Sequence, residues 1–282
     1  MSTKNQTVKP SERFHLIQAS KGWVLPNVWE LWEYRDLLWI LTLRDIKVRY
    51  KQTFLGCAWA IIQPVTNMIV FSILFGRLMK MPTQGMPYPI FVYSALVPWM
   101  FFAHALDASA NSIVGSGNLI TKVYFPRSVI PIAAIGSGLV DFMVSLLVVF
   151  FLMVYYGITP GFQLLAVPFL LFILILIVIG LGSFLSALVV SYRDFRYVIP
   201  FLIQLWMYAT PVIYTTHLVP QKWKWLVYLN PVAPVIESFR DCFLSQPLNM
   251  GMLLISFAEA VLFLLLGINY FAQVEKKFSD VI

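Results

Sequence analysis

The chain has 282 residues, 60% of them hydrophobic and 12% charged, with a mean hydropathy of +0.79. That excludes a soluble globular domain of this length, which needs far more charge to cover its surface. The formal net charge of +7 comes from basic residues beside apolar stretches, where they set orientation and touch anionic lipid; it is not read as a nucleic-acid footprint.

Residues 1–27 are polar, carry Pro10 and Pro26, and are expected to form a partly ordered cytosolic tail. No apolar h-region precedes a cleavage site, so no cleaved signal peptide is expected. From Val28 to Lys51 the character changes. Trp29, Trp32, Leu37, Trp39, Ile40 and Leu43 are interleaved with Glu30, Glu33, Arg35, Asp36, Arg44, Asp45, Lys47 and Arg49. That mixture predicts an amphipathic helix lying in the membrane interface, with tryptophans at headgroup depth and charges toward water. A helix packed on a soluble partner is the other reading; the apolar stretch that follows directly favours the interface.

Beyond Lys51 the charges are segregated. None lies between Lys51 and Arg77, Lys80 and Asp107, Asp141 and Arg193, or Arg196 and Lys222. Each gap holds at least one helix of about 20 apolar residues, the length that crosses a ~30 Å hydrocarbon core. The third gap has room for two passes with a turn at Pro160-Gly161. Barrel strands alternate polar and apolar residues, whereas Phe169-Leu-Leu-Phe-Ile-Leu-Ile-Leu-Ile-Val178 does not. The expected fold is therefore all-α and polytopic, with spans at about 54–78, 88–110, 129–155, 163–190, 197–216 and 250–272. Lys and Arg outside these spans divide fifteen to five. The larger group is the nine up to Lys51 plus Lys122, Arg127, Arg193, Arg196, Lys276 and Lys277. The smaller is Arg77, Lys80, Lys222, Lys224 and Arg240. The positive-inside rule then places both termini in the cytosol. Residues 217–249, with Trp223, Trp225, Pro231 and Pro234, form an outer segment too polar to span. One or two short helices are expected there, re-entering the outer leaflet or covering an exit. Cys57 and Cys242 fall at different depths, so no disulfide is expected.

Catalytic hardware is scarce. The sequence has no G-x-x-x-x-G-K-[ST] to cradle ATP phosphates and no H-E-x-x-H, and His15, His104 and His217 are too scattered for a metal cluster. Asp107, Asp141, Glu259 and His104 fall within spans, where ionisable groups are costly. They are open to two readings, a proton relay or structural pairing with a neighbouring helix or span end. More informative are two stripes at helical spacing. Gln52, Gly56, Trp59, Gln63, Thr66 and Asn67 share one face of the first span; Tyr197, Phe201, Gln204, Tyr208, Pro211 and Thr215 share one face of the fifth. Lipid gains nothing from Gln or Asn, so both faces are expected to turn inward. They serve either as polar glue between helices or as a pathway whose amides bond hydroxyls and whose rings stack on sugars.

Specific strings now matter. Arg44-Asp-Ile-Lys-Val-Arg-Tyr-Lys-Gln-Thr-Phe-Leu-Gly-Cys-Ala-Trp-Ala-Ile-Ile-Gln-Pro64 resembles the approach to the first span in permeases of the ABC-2 type. The resemblance is to the O-antigen, capsule and teichoic-acid polysaccharide exporters among them. Asn118-Leu-Ile-Thr-Lys-Val-Tyr-Phe-Pro-Arg127, Tyr208-Ala-Thr-Pro-Val-Ile-Tyr214 and Leu229-Asn-Pro-Val-Ala-Pro-Val-Ile-Glu-Ser-Phe-Arg240 add to it, in order, from about residue 30 to 275. The resemblance implies a homodimer of six-span subunits in the bacterial inner membrane, bearing two copies of a separate cytosolic ATPase. ATP and its Mg²⁺ would sit on that partner, with no cofactor, metal or catalytic residue on this chain. A lipid-linked polysaccharide would pass between the subunits along the first and fifth spans, here Gln52, Trp59, Gln63, Thr66, Asn67, Tyr197, Phe201, Gln204 and Tyr208. The cytosolic loops would meet the ATPase through Lys122, Arg127, Arg193, Asp194 and Arg196. Two alternatives stay open: an exporter of a small lipid or drug from the same superfamily, and a membrane-embedded enzyme acting on lipid-linked glycans. Against the enzyme stands the lack of a carboxylate or histidine constellation.

Overall fold

The computed structural model describes residues 28–51, 56–120, 122, 125–275 and 278. The 1–27 tail, Gln52, Lys276, Lys277 and the Cys57 side chain lie outside the described residues, and Cys242 is buried and free. Among the described residues the secondary structure is helical throughout, with no strand.

The helices are α1 (Val28–Glu33), α2 (Arg35–Lys51), α3 (Trp59–Phe71, continued by a π-helical stretch Ser72–Leu78), α4 (Tyr88–Gly115), α5 (Gly117–Ile120), α6 (Val129–Tyr155), α7 (Val167–Ser191), α8 (Phe195–Ala209), α9 (Lys224–Tyr228), α10 (Ala233–Phe243) and α11 (Met250–Glu275). Among the described residues five are long and apolar enough to cross a membrane: α3 with its continuation, α4, α6, α7 with its preceding turn, and α11. The chain is a multi-pass helical membrane protein. α8 is the short one. Its 15 residues rise about 22 Å, and it stops at Ala209 rather than at 216. Thr210 precedes Pro211, whose ring disfavours helical backbone one residue earlier, and Thr210 is accordingly extended (φ −99°, ψ 139°).

α4 is the axis of the bundle. It touches α3, α6, α7, α8 and α10, and Ile90, Val92, Tyr93, Ala95, Leu96, Phe102 and Ala105 are fully enclosed. A helix surrounded in this way has to be apolar on every side. α7 and α11 approach backbone to backbone: a Cβ on Gly267 would overlap the Gly180 carbonyl, and one on Gly180 would strike the Phe263 backbone. Small residues at the crossing are how helices associate where lipid supplies no hydrophobic drive. α2 packs on α6 by a related device. Thr42 occupies the space left by the missing Gly136 side chain and donates its hydroxyl to the Ala133 carbonyl at 3.2 Å.

Two apolar layers are stacked along the bundle. The larger is built on α4, α6, α7 and α10. The smaller gathers Leu41 of α2, Ile113, Ile120, Phe125, Val129, Ile130, Val190, Phe271 and Phe278. N-terminal helix, 111–128 connection, α7–α8 elbow and α11 terminus therefore share one end. At the other end the backbone after α8 is irregular and is satisfied from α10. Arg240, 3% exposed, donates to the carbonyls of Pro211 (2.5 Å), Val212 (2.7 Å), Tyr214 (3.2 Å) and Phe91 (3.3 Å), with its guanidinium 4.0 Å from the Phe91 ring centroid. Asn230 bonds the Trp206 indole (2.9 Å) and the Thr210 hydroxyl (3.0 Å). Irregular backbone inside a membrane protein persists only where protein groups satisfy it in this way.

Candidate functional site: a cavity between two peripheral helices

α3 and α8 are only lightly embedded in the bundle. Only Ala60 and Pro64 of α3, and only Ile199 and Ile203 of α8, are buried. Between them, floored by α4 and α6, lies a cavity of about 560 Å³. Trp59, Gln63 and Asn67 line it from α3, Gln204 and Met207 from α8, Met100 and His104 from α4, and Asp141 and Ser145 from α6. Stripes about 140 residues apart in sequence thus meet across one space. The convergence is partial. Thr66, Tyr197, Phe201 and Tyr208 are exposed and lie outside the cavity lining. Tyr197 is 80% exposed and Tyr208 55%, so the outer flank of α8 is an unpartnered aromatic face in the single chain.

At one end the cavity is bounded by a cluster of ionisable groups. Arg49, from the last turn of α2, places Nη2 2.6 Å from Asp141 Oδ2. Its Nη1 lies against the His104 ring, 3.1 Å from Nδ1. The Tyr50 hydroxyl donates to the same Asp141 carboxylate, and His104 Nε2 is 3.3 Å from the Ser137 hydroxyl. Asp141 and His104 are therefore paired with an adjacent helix, the structural reading of ionisable groups in a span. Arg49 is absent from the residues the sequence assigns to this site; the signal for it is an ionisable Asp141 in a span, which demands a partner, and a basic residue one turn before the first span. Asp107 accepts from Asn111, one helical turn away, at 3.1 Å, with the Arg196 charge acting on it from the α7–α8 elbow. Glu259 keeps one carboxylate oxygen buried without a hydrogen-bond partner. Among the described residues no three His, Cys, Asp or Glu side chains gather where a metal ion could be held.

The residues assigned to the ATPase contact separate into two groups. Lys122, Arg193, Asp194 and Arg196 are exposed. Arg127 is engaged internally: its backbone N–H donates to the Glu275 carboxylate at 3.0 Å, its guanidinium donates to the Glu275 carbonyl at 2.6 Å, and it stands over the Phe278 ring. It fastens the connection before α6 to the end of α11.

The family model for ABC-2 type transporters matches residues 36–244. The chain belongs to that family. As an ABC-2 type transporter it is a transport subunit of the membrane and not an enzyme. It is 28% identical over 248 residues to the O-antigen export system permease protein RfbA of Klebsiella pneumoniae, spanning 88% of this chain and 95% of that one. Over 217 residues it is 31% identical to the protein of the same name from Myxococcus xanthus, spanning 76% and 82%. Against the polysialic acid transport protein KpsM of Escherichia coli it is 26% identical over 220 residues, spanning 75% and 82%. In this ABC-2 transporter the family match runs from the start of α2 to the residue after α10. It contains every residue of the α3–α8 cavity.

Proposed function

We propose that the chain is the membrane subunit of an ABC exporter that carries a lipid-linked polysaccharide, O-antigen-like, across the bacterial inner membrane. Two copies pair through the exposed faces of α3 and α8, and two copies of a separate cytosolic ATPase drive them. The observation that carries this reading is the cavity in which the α3 and α8 stripes converge. Its indole and amides are the groups a glycan uses: apolar faces for sugar C–H groups, and amides that both donate and accept. The similarity to an O-antigen export permease and a polysialic acid transport protein supports the polymer class. α2 lies in the inner interface, both termini are cytosolic, and α9 and α10 re-enter the outer leaflet. The basic asymmetry and the gathering of α2, the 111–128 connection and the α7–α8 elbow at one end support that orientation.

ATP and Mg²⁺ on the partner supply the energy; this chain supplies a path and a lever. The exposed charges Lys122, Arg193, Asp194 and Arg196 receive the movement of the ATPase. α2 conveys it to the cavity through Arg49, because the same last turn is tied to α4 and α6. Nucleotide state has to bias two arrangements of these helices for transport to follow.

The test is export and ATP turnover by the chain co-purified with its ATPase in vesicles. The Gln63→Ala, Gln204→Ala variant is expected to export poorly while retaining the ATPase, and charge reversal at Arg193 to uncouple turnover from export. Normal export by a well-assembled Gln63→Ala, Gln204→Ala variant defeats the path assignment.

A further inference from the structure

A second cavity, of about 370 Å³, opens at the end of the bundle opposite the α2 layer. The turn before α4, residues 215–217, α9, α10 and the start of α11 enclose it. Nothing in the transport path uses it. Its chemistry differs from that of the α3–α8 cavity. Glu237 and Asp241 lie one helical turn apart on the same face of α10, and Lys224, His217, Gln246 and Asn249 line the remaining walls.

The bonding of these groups is incomplete. Glu237 accepts from the Thr216 hydroxyl and, at 3.4 Å, from its N–H. Among the described residues the Asp241 carboxylate takes part in no hydrogen bond or salt bridge, and neither does the Lys224 amine. All three line one cavity and are half-buried. Opposite charges that share a partly desolvated space without closing on each other leave room between them, and half-buried polar groups are costly without partners. Burial and the neighbouring Glu237 charge push the Asp241 carboxyl up to about 7, against the pull of Arg240. Arg240 is itself spent on backbone carbonyls.

The donor set narrows the ligand. A phosphate is repelled by two carboxylates. A divalent cation is opposed by the Lys224 ammonium that lines the same cavity. A polyhydroxylated ring fits: each hydroxyl both donates and accepts, and the walls offer carboxylate acceptors, an ammonium donor and amides that do both. We infer that this outer cavity is a saccharide-binding site that holds one sugar unit of the exported glycan as it leaves the α3–α8 path. The inference rests on the glycan-export reading and adds a second point of contact on the far side.

The experiment uses the full chain in lipid nanodiscs and saturation-transfer NMR with methyl α-glycosides of glucose, mannose and galactose, and with N-acetylglucosamine. Transfer to at least one of these is expected. Glu237→Gln, Asp241→Asn together should weaken it about tenfold, as expected when hydrogen bonds to charged groups are lost. Lys224→Met, whose amine has no internal bond to lose, should weaken it as well. No transfer to any of the four sugars overturns the assignment, as does transfer retained in either variant or abolished instead by Gln63→Ala, Gln204→Ala. Export that ignores Gln63 and Gln204 defeats the path reading without touching this site, so the two failures are distinguishable.

Discussion

Arg49 of α2 and Asp141 of α6 stand 2.6 Å apart, joining the helix that precedes the first span to the centre of the bundle. The pair is shielded unevenly: the Arg49 side chain is 36% exposed and that of Asp141 19%. Removing one partner of a fully buried pair costs about 3–5 kcal/mol because the other charge is stranded. Partial exposure of Arg49 reduces this, and we expect Arg49→Ala to cost about 1–3 kcal/mol, with a lower apparent Tm in detergent. The exchange Arg49→Asp, Asp141→Arg should recover part of that loss. If Arg49→Ala leaves both Tm and ATPase coupling unchanged, the pair is neither anchor nor lever.

The α7–α11 crossing gives a sharper steric prediction. Gly267→Ala inserts a methyl where the Gly180 carbonyl already sits. Both neighbours are backbone, so the helices must separate, at a cost beyond the about 1–3 kcal/mol of ordinary overpacking. Gly115→Ala, with nothing within 4 Å of the new carbon, should be tolerated. Size-exclusion profiles and thermal shifts of the two variants check the contrast; equal behaviour would remove the close crossing.

Arg240 should not tolerate lysine. One ammonium cannot reach Pro211, Val212, Tyr214 and Phe91 together, so charge would be kept while the planar fork of donors is lost. Arg240→Lys is expected to destabilise the segment after α8 by about 1.5–3 kcal/mol for each charge-assisted hydrogen bond that is lost. Faster hydrogen exchange over residues 210–216, with α7 unaffected, is the expected signature. Unchanged exchange there would mean that Arg240 does not hold that backbone.

Orientation is checked by labelling. In a background lacking Cys57 and Cys242, cysteines introduced at Ser2 and Ser279 should resist an impermeant thiol reagent in intact cells, and one at Gln221 should react. Gln221 is exposed, so steric shielding does not explain a negative result. Labelling of the termini from outside reverses the proposed topology.

Purified alone, the chain should hydrolyse no ATP, because its sequence contains no phosphate-binding loop. Co-purification with a cytosolic ATPase should bring turnover with it. Turnover by the isolated chain at a rate proportional to its concentration would contradict the subunit assignment.

The sequence by itself determined the solvent, the helical class and the approximate places of the spans, because hydrocarbon imposes length and charge limits that are read along the chain. It also located two polar stripes, since helical periodicity is a local property, and the Thr210-Pro211 pair already contained the reason α8 ends early. Only the tertiary structure decided which parts of those stripes face one another. Gln63 and Gln204 line one cavity, whereas Tyr197 and Tyr208 lie outside its lining, because the facing side of a helix depends on its rotation against α4. The partners of the charges were equally hidden. Asp141 is answered by Arg49 from 92 positions earlier, and the carbonyls after α8 are answered by Arg240. No local pattern connects such residues: a buried charge requires a counterpart, but helix packing chooses which residue supplies it.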